Sequence, residues 1–160
     1  MHPTTAAFVD AAAALGIRVE PRTFPEGTRT AEDAAAAIGV DVAQIVKSLA
    51  FRAVHEDGSG GVVMALVSGA DRLDEKALAA AAGADHTERA DAAEVRAATG
   101  YAIGGVPPFC HATTLPVCVD RPLLAFDAVW AAAGTPRDVV PLAPDELVRG
   151  SGGTVADLAR

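Results

Sequence analysis

The sequence has few aromatic residues, few cysteines and no long apolar run, and each shortage excludes a class of protein. Phe, Trp and Tyr make up 4% of the 160 residues, so the core must be built mainly from Ala, Val, Leu and Ile. Two cysteines, Cys110 and Cys118, are too few for a disulfide scaffold and fit a reducing compartment in which thiols stay free. No uncharged apolar stretch approaches about 20 residues, which argues against a transmembrane helix.

Positive charge is also scarce. The chain has 13 Lys and Arg residues against 21 Asp and Glu residues, and its net charge is −8. This charge repels a polyanion on average, so a nucleic acid has to be held at a local basic spot. The first residues have no positive segment and carry Asp10 within an apolar run, which argues against a signal peptide. We therefore expect a single cytoplasmic domain over residues 1–160, with neither a membrane nor DNA as its partner.

Helix caps and apolar patterns alternate along the chain without a strict strand–helix order. Periodicity and capping residues predict helices over residues 4–15, 31–38, 74–82 and 91–99, and a last short helix from Pro144. Apolar runs predict strands over residues 17–20, 45–54, 62–69, 116–120, 126–130 and 137–142, with loops over 21–30 and 101–115. These elements predict an α+β fold in which short helices surround a mixed, barrel-like central sheet.

Lys47 places a charge in the apolar strand IVKSLAF. Strand alternation puts it on one face with Ile45, Leu49 and Phe51. The chain has eleven arginines but only two lysines, and the other, Lys76, lies in a polar stretch. An ammonium is a compact donor that can reach a phosphate or ester oxygen. The alternative is a strand-end lysine whose ammonium extends to water.

The segment 101–109, YAIGGVPPF, combines two glycines with two prolines. Glycine lets the backbone approach a ligand closely, and proline stiffens the chain that follows. Backbone N–H groups in this loop are candidate donors to a developing oxyanion; they belong to Gly104, Gly105, Val106 and Phe109. Pro107 and Pro108 have no N–H to donate. The alternative is an ordinary turn.

Cys110 and His111 suggest a cysteine nucleophile with its base. Adjacent residues in an extended segment point to opposite sides, however, and a base must lie within hydrogen-bond reach of its nucleophile. The same two residues and Cys118 could offer three metal ligands, but no paired C-x-x-C spacing supports a metal site. The sequence has no P-loop, dinucleotide fingerprint or G-x-S-x-G motif either.

Taken in order, the segments IVKSLAF, TGYAIGGVPPF, LPVCVD and FDAVWAAAG resemble the YbaK/ProX family of aminoacyl-tRNA editing domains. The lysine in VKSLAF, the G-x-x-x-P loop from Gly104 to Pro108 and the small-residue segment ending at Gly134 carry the resemblance, which spans most of the chain. It implies the editing fold of this family and of prolyl-tRNA synthetase, with a mixed barrel-like sheet flanked by helices.

The resemblance also implies roles for particular residues. As catalytic residues it indicates Lys47, Gly104, Gly105 and Pro108: the lysine helps to hold the terminal nucleotide and the ester, and the loop backbone contacts the aminoacyl carbonyl. As substrate-binding residues it indicates Val106, Pro107, Phe109, His111 and Gly134. Water attacks the ester with help from the ribose hydroxyl of the substrate, so no cofactor or metal is required. Hydrolysis of an activated ester depends mainly on positioning and oxyanion stabilisation, and one such donor contributes roughly 3–4 kcal/mol.

The implied substrate is a tRNA that carries the wrong amino acid, typically the tRNA for proline. The acceptor end of the aminoacyl-tRNA is then the partner, with prolyl-tRNA synthetase as a candidate second partner. We expect a pocket of modest volume for alanine, serine or cysteine, with overlapping substrates because a missing methylene changes binding by only about 1–3 kcal/mol. Two alternatives are a non-catalytic module that binds tRNA ends or a synthetase, and a hydrolase that depends on Cys110.

Overall fold

Five α-helices begin at capping residues or prolines that can be recognised in the sequence. The computed structural model describes all residues from 1 to 160. The helices are α1 (Pro3–Ala14), α2 (Ala31–Ile38), α3 (Glu75–Ala82), α4 (Ala92–Thr99) and α5 (Pro144–Ser151). The side chains of Thr30, Asp74 and Asp91 accept backbone N–H groups in the first turns of α2, α3 and α4, which confirms the predicted starts. The longest helix has 12 residues, and none is long and apolar enough to cross a membrane.

Eight strands form two sheets. The strands are β1 (Arg22–Thr23), β2 (Val46–Val54), β3 (Gly60–Ser68), β4 (His86–Arg89), β5 (Val117–Asp120), β6 (Val129–Ala132), β7 (Asp138–Leu142) and β8 (Thr154–Ala156). The smaller sheet has the order β1-β7-β6 and is antiparallel, and the larger one has the order β4-β2-β3-β5-β8. In the larger sheet β4, β2 and β3 pair antiparallel, whereas β5 and β8 add parallel strands. The predicted mixed α+β class is confirmed.

The barrel-like closure that we predicted is not formed. The two sheets are joined only by an isolated bridge between Ile45, just before β2, and Trp130 in β6. The larger sheet ends at β4 on one side and at β8 on the other, so both of its edges remain open. A cavity between the two sheets opens at the point where β2 begins.

The two faces of β2 pack into different cores. Val46 belongs to the main cluster of 20 buried residues, and Ala50 packs against that cluster. Phe51 belongs to a second cluster of 8 buried residues, against which Leu49 packs. Alternation along the strand thus places Lys47 on the same face as Leu49 and Phe51, as the sequence predicted.

Two strand predictions were wrong, and three short strands were not predicted. Residues 17–20 form no strand: Ile17 and Val19 are buried in the main core, but the backbone there has no neighbouring strand, so the apolar alternation marks burial only. The strand predicted at 126–130 begins at Val129, because residues 126–128 form the bend that follows a 3₁₀ helix over Arg121–Ala125. The strands β1, β4 and β8 were not predicted: β1 lies within the predicted loop 21–30, HTER has no apolar pattern, and TVA has only three residues.

Candidate active site

A cavity of ≈ 380 Å³ opens where the start of β2 faces β6 and the loop after α4. Lys47 lines it from β2, Gly104 and Val106 line it from the loop, and Trp130 lines it from β6. The sequence separates Lys47 from the loop by more than fifty residues, and the fold brings them to one cavity. This is the shared location that the resemblance implied for the lysine and the glycine–proline loop.

The Lys47 ammonium is held at the edge of this cavity. Its Nζ donates a hydrogen bond of 2.5 Å to the carbonyl oxygen of Asp71, in the turn that follows β3. An ammonium has three N–H donors, so this bond fixes its position and leaves two donors for a ligand. The side chain is only partly buried, and solvent or a ligand can therefore reach it.

Three of the four predicted backbone donors of the loop, those of Gly104, Val106 and Phe109, have no acceptor within the protein. The N–H of Gly105, one of the predicted oxyanion donors, donates to the carbonyl oxygen of Ala102 at 3.0 Å. The N–H groups of Gly104 and Val106 form no such bond, although Val106 is only 6% exposed. An unpaired backbone donor in a buried position is uncommon, and these two flank the cavity wall.

The loop owes its shape to contacts behind the cavity. Gly104 has a φ of 94°, a conformation that favours glycine. The carbonyl oxygen of Gly105 accepts the N–H of Gly134 at 2.9 Å, and a Cβ at Gly105 would lie 2.8 Å from the carbonyl oxygen of Gly134. The His111 ring nitrogen Nε2 lies 2.7 Å from the Pro107 carbonyl oxygen, to which it donates. These backbone contacts hold the loop in place beside the cavity.

The structure separates the predicted site residues into two groups. Lys47, Gly104 and Val106 line the cavity, whereas the remaining ones lie behind it: Gly105, Pro107, Pro108, Phe109, His111 and Gly134. Phe109 is 2% exposed and packs against Phe8 with ring centroids 5.5 Å apart, so its side chain belongs to the core and does not contact a ligand in this cavity.

His111 lies at a different cavity, which it lines together with Cys110 and Tyr101. His111, predicted as a substrate-binding residue, does not line the Lys47 cavity. Burial lowers the pKa of His111, and the hydrogen bond to Pro107 opposes this effect in part. Burial raises the pKa of the Cys110 thiol, which disfavours the thiolate that a nucleophile needs.

One polar group of the cavity was not identified from the sequence. Ser48 Oγ is buried without a hydrogen-bond partner, and Ser48 lines both this cavity and a smaller one of ≈ 160 Å³. The smaller cavity is mainly apolar and shares Gly104 and Val106 with the larger. No group of three or more His, Cys, Asp and Glu side chains is arranged as a metal site. Ser48 alternates with Lys47 in an ordinary strand, so the sequence carries no signal for it.

Comparison with known proteins gives the family of the chain. Residues 25–149 match a family described as "Aminoacyl-tRNA editing domain". This match defines the class of protein as an aminoacyl-tRNA deacylase. The chain belongs to the aminoacyl-tRNA editing domain family, as the order of its motifs indicated.

Individual relatives cover most of the chain. A solved structure described as "a putative trans-editing enzyme for prolyl tRNA synthetase" is 42% identical with a TM-score of 0.90, and the match covers 100% of this chain and 99% of that one. The uncharacterized protein YwhH of Bacillus subtilis (strain 168) is 35% identical over 78% of this chain and 76% of its own length. The "Putative Cys-tRNA(Pro)/Cys-tRNA(Cys) deacylase EbsC" of Enterococcus faecalis is 28% identical over 84% of this chain and 80% of its own length.

Proposed function

We propose that the chain acts in trans on tRNA that carries a wrong, small amino acid, and that it hydrolyses the 3′ ester in the Lys47 cavity. The observation that carries this proposal is that Lys47, Gly104 and Val106 line the same cavity, and that the backbone N–H groups of Gly104 and Val106 have no acceptor within the protein. A lysine cation and backbone donors are the groups that an ester with a neighbouring phosphate requires.

In the proposed reaction a water oxygen forms a bond to the ester carbonyl carbon, and the carbonyl oxygen becomes an oxyanion. The N–H groups of Gly104 and Val106 stabilise that charge, and they need no reorganisation because the loop is already rigid. Collapse of the intermediate breaks the bond to the ribose oxygen, which leaves as a hydroxyl with a proton that comes from the attacking water. The neighbouring ribose hydroxyl of the substrate assists the attack, and Lys47 holds the terminal nucleotide.

The smaller cavity supports the choice of amino acid. Its ≈ 160 Å³ are lined mainly by apolar residues and adjoin the loop donors. We assign it to the side chain of the amino acid, so that alanine, serine and cysteine fit. Relatives named for prolyl-tRNA synthetase and for Cys-tRNA(Pro) support tRNA for proline as the carrier. The cytoplasm, where aminoacyl-tRNA is used, is the proposed location.

The experiment is multiple-turnover deacylation of a panel of mischarged tRNAs by the purified protein. We expect release of alanine, serine or cysteine from tRNA for proline, and Lys47→Ala should reduce the rate by on the order of 100-fold with the fold intact. Lys76→Ala is the matched control, because it removes the same charge from an exposed position on α3. Binding of these tRNAs without release of amino acid would instead favour a non-catalytic module, and full activity of Lys47→Ala would remove the lysine from the mechanism.

A further inference from the structure

A further cavity, called here the second cavity, shares Lys47 with the cavity between β2 and β6, called the first. It measures ≈ 390 Å³, and its wall carries four cations: Lys47, Arg72, Arg89 and Arg160. Glu75 is the one carboxylate side chain in that wall. Four of the 13 Lys and Arg residues of the chain thus meet at one cavity, in a protein whose net charge is −8. A cluster of this kind produces a local positive potential within an otherwise acidic surface.

Strand pairing and a chain crossing bring these cations together. Phe51 of β2 is paired with Arg89 of β4, so the Arg89 side chain lies on the same sheet face as Lys47. Arg72 follows β3, and the backbone N–H of Arg160 donates to its carbonyl oxygen at 2.9 Å. An isolated β-bridge between Leu73 and Ala159 also holds these two segments together. The cluster is therefore built by long-range contacts of the fold.

The three arginines are free to bind an anion. The ion pairs of the protein use Arg52, His86 and Arg121, whereas Arg72, Arg89 and Arg160 form none. All three are exposed. Arg52 shows the contrast, since Glu88 and Glu94 hold its guanidinium on the other face of β2. A guanidinium without a carboxylate partner keeps its fork of N–H donors for phosphate oxygens.

We propose that this cavity binds the phosphodiester backbone of the RNA strand that leads to the ester, with Arg72, Arg89 and Arg160 as the phosphate-binding residues. The proposal rests on the proposed function and extends it. Lys47 forms the wall between the two cavities, so a strand whose terminal nucleotide occupies the first cavity passes directly into the second. Phosphate contacts of this kind position a strand without reading its sequence.

The test compares two ester substrates that differ in phosphate content. One is alanyl-tRNA for proline, and the other is alanyl-adenosine, which has the same ester and no phosphate. Arg72→Ala and Arg160→Ala are measured with both, and Arg18→Ala is the matched control. Arg89 is left intact, because it also lines the smaller cavity assigned to the amino acid. Arg18 is exposed and lies outside the cavities described above, and its loss changes the net charge equally.

We expect kcat/KM for the tRNA to fall roughly tenfold in each cavity variant, as for the loss of a charged hydrogen bond. The rate with alanyl-adenosine should not change. The slope of log kcat/KM against log salt concentration should become shallower by about 0.7 for each lost contact to a single strand. Arg18→Ala should match the wild type in all three measurements. Equal losses with both substrates, or tRNA kinetics that match Arg18→Ala, would overturn the proposal.

Binding of inorganic phosphate tests whether the cavity takes a phosphate of the RNA strand or a free anion. Wild-type binding of phosphate that Arg72→Ala and Arg160→Ala abolish, combined with unchanged tRNA kinetics, would assign the cavity to a free anion and contradict the proposal. Failure of the wild type to hydrolyse either ester would contradict the proposed function itself. Hydrolysis of both esters with unaffected arginine variants would contradict only the role of the second cavity.

Discussion

The backbone N–H of Gly134 donates a 2.9 Å hydrogen bond to the carbonyl oxygen of Gly105. This bond joins the turn before β7 to the loop that lines the Lys47 cavity. The turn is held by the Asp138 carboxylate, which accepts hydroxyl hydrogen bonds from Thr5, Thr23 and Thr135. The position of the loop therefore depends on a network of residues that lie outside the cavity.

Gly105→Ala should displace the loop. A Cβ at residue 105 would lie 2.8 Å from the Gly134 carbonyl oxygen and from the Thr135 Cα, and these backbone atoms cannot turn aside as a flexible side chain can. Small displacements of catalytic groups lower rates strongly, so we expect about 100-fold slower deacylation with a largely retained fold. Gly61→Ala is the matched control, because a Cβ there meets no atom within 4 Å. Similar kinetics for the two alanine variants would contradict this account.

Asp138→Asn should weaken the fold and reduce its sensitivity to acid. Burial alone would raise the pKa of Asp138, but hydrogen bonds from Thr135, Thr23 and Thr5 outweigh it and the pKa is lowered. A lowered carboxyl pKa stabilises the fold above the unfolded-state value of about 3.9, and this contribution is lost as the pH falls through the folded-state value.

We therefore expect Asp138→Asn to lose about 1.5–3 kcal/mol of unfolding free energy at pH 7. The difference from the wild type should shrink as the pH falls below 4, which urea unfolding at several pH values measures. Asp127→Asn, at an exposed position, controls for the loss of one negative charge. A difference that stays constant down to pH 2 would show that the carboxylate charge is unimportant.

His111→Gln should make the stability of the fold less sensitive to mild acid. Burial lowers the pKa of His111, so the folded state favours the neutral ring, which donates from Nε2 to the Pro107 carbonyl oxygen. The unfolded chain binds a proton near pH 6.5, and stability is therefore lost as the pH falls from 6.5 towards the lowered folded-state value. Thermal unfolding between pH 7.5 and pH 5 should show a decrease in Tm for the wild type that is smaller in His111→Gln. Identical decreases in the two proteins would argue against this role.

Cys110→Ser should leave deacylation unchanged. The pKa of the thiol is raised by burial, and the neighbouring His111 uses Nε2 to hold the loop carbonyl of Pro107. Cys110 also lines a cavity other than that of Lys47. Steady-state kinetics with mischarged tRNA compare the variant with Cys118→Ser, which removes the other thiol. Loss of activity in Cys110→Ser alone would support the cysteine-dependent hydrolase that the sequence left open.

Local signals in the sequence predicted the elements that surround the site. Thr30, Asp74 and Asp91 mark helix starts because the cap and the first turn are adjacent in the chain. The face of β2 that carries Lys47 follows from a period of two. The fold class and the family followed from the order of these elements and motifs.

The way in which the site residues are brought together depends on contacts between distant segments. A single sequence gives no signal for such contacts. Phe109 and Val106 lie three residues apart in the same loop, yet one packs in the core and the other lines the cavity. Arg72 and Arg160 are brought together by the hydrogen bond from the Arg160 backbone N–H to the Arg72 carbonyl oxygen. The Val106 N–H is unpaired because of the backbone hydrogen bonds that Gly105 forms with Ala102 and Gly134. Residue types alone do not determine these bonds.

The Asp138 network also has a consequence for synthesis of the protein. Thr5 and Asp138 are 133 residues apart, and Gly134 completes the support of a loop that was made about thirty residues earlier. A growing chain that already contains Lys47 and the whole loop therefore lacks the contacts that orient the loop donors until the segment up to Asp138 has left the ribosome. Contacts between residues that are far apart in the chain form late in folding. The Lys47 cavity is consequently completed only after the chain has been translated beyond Asp138.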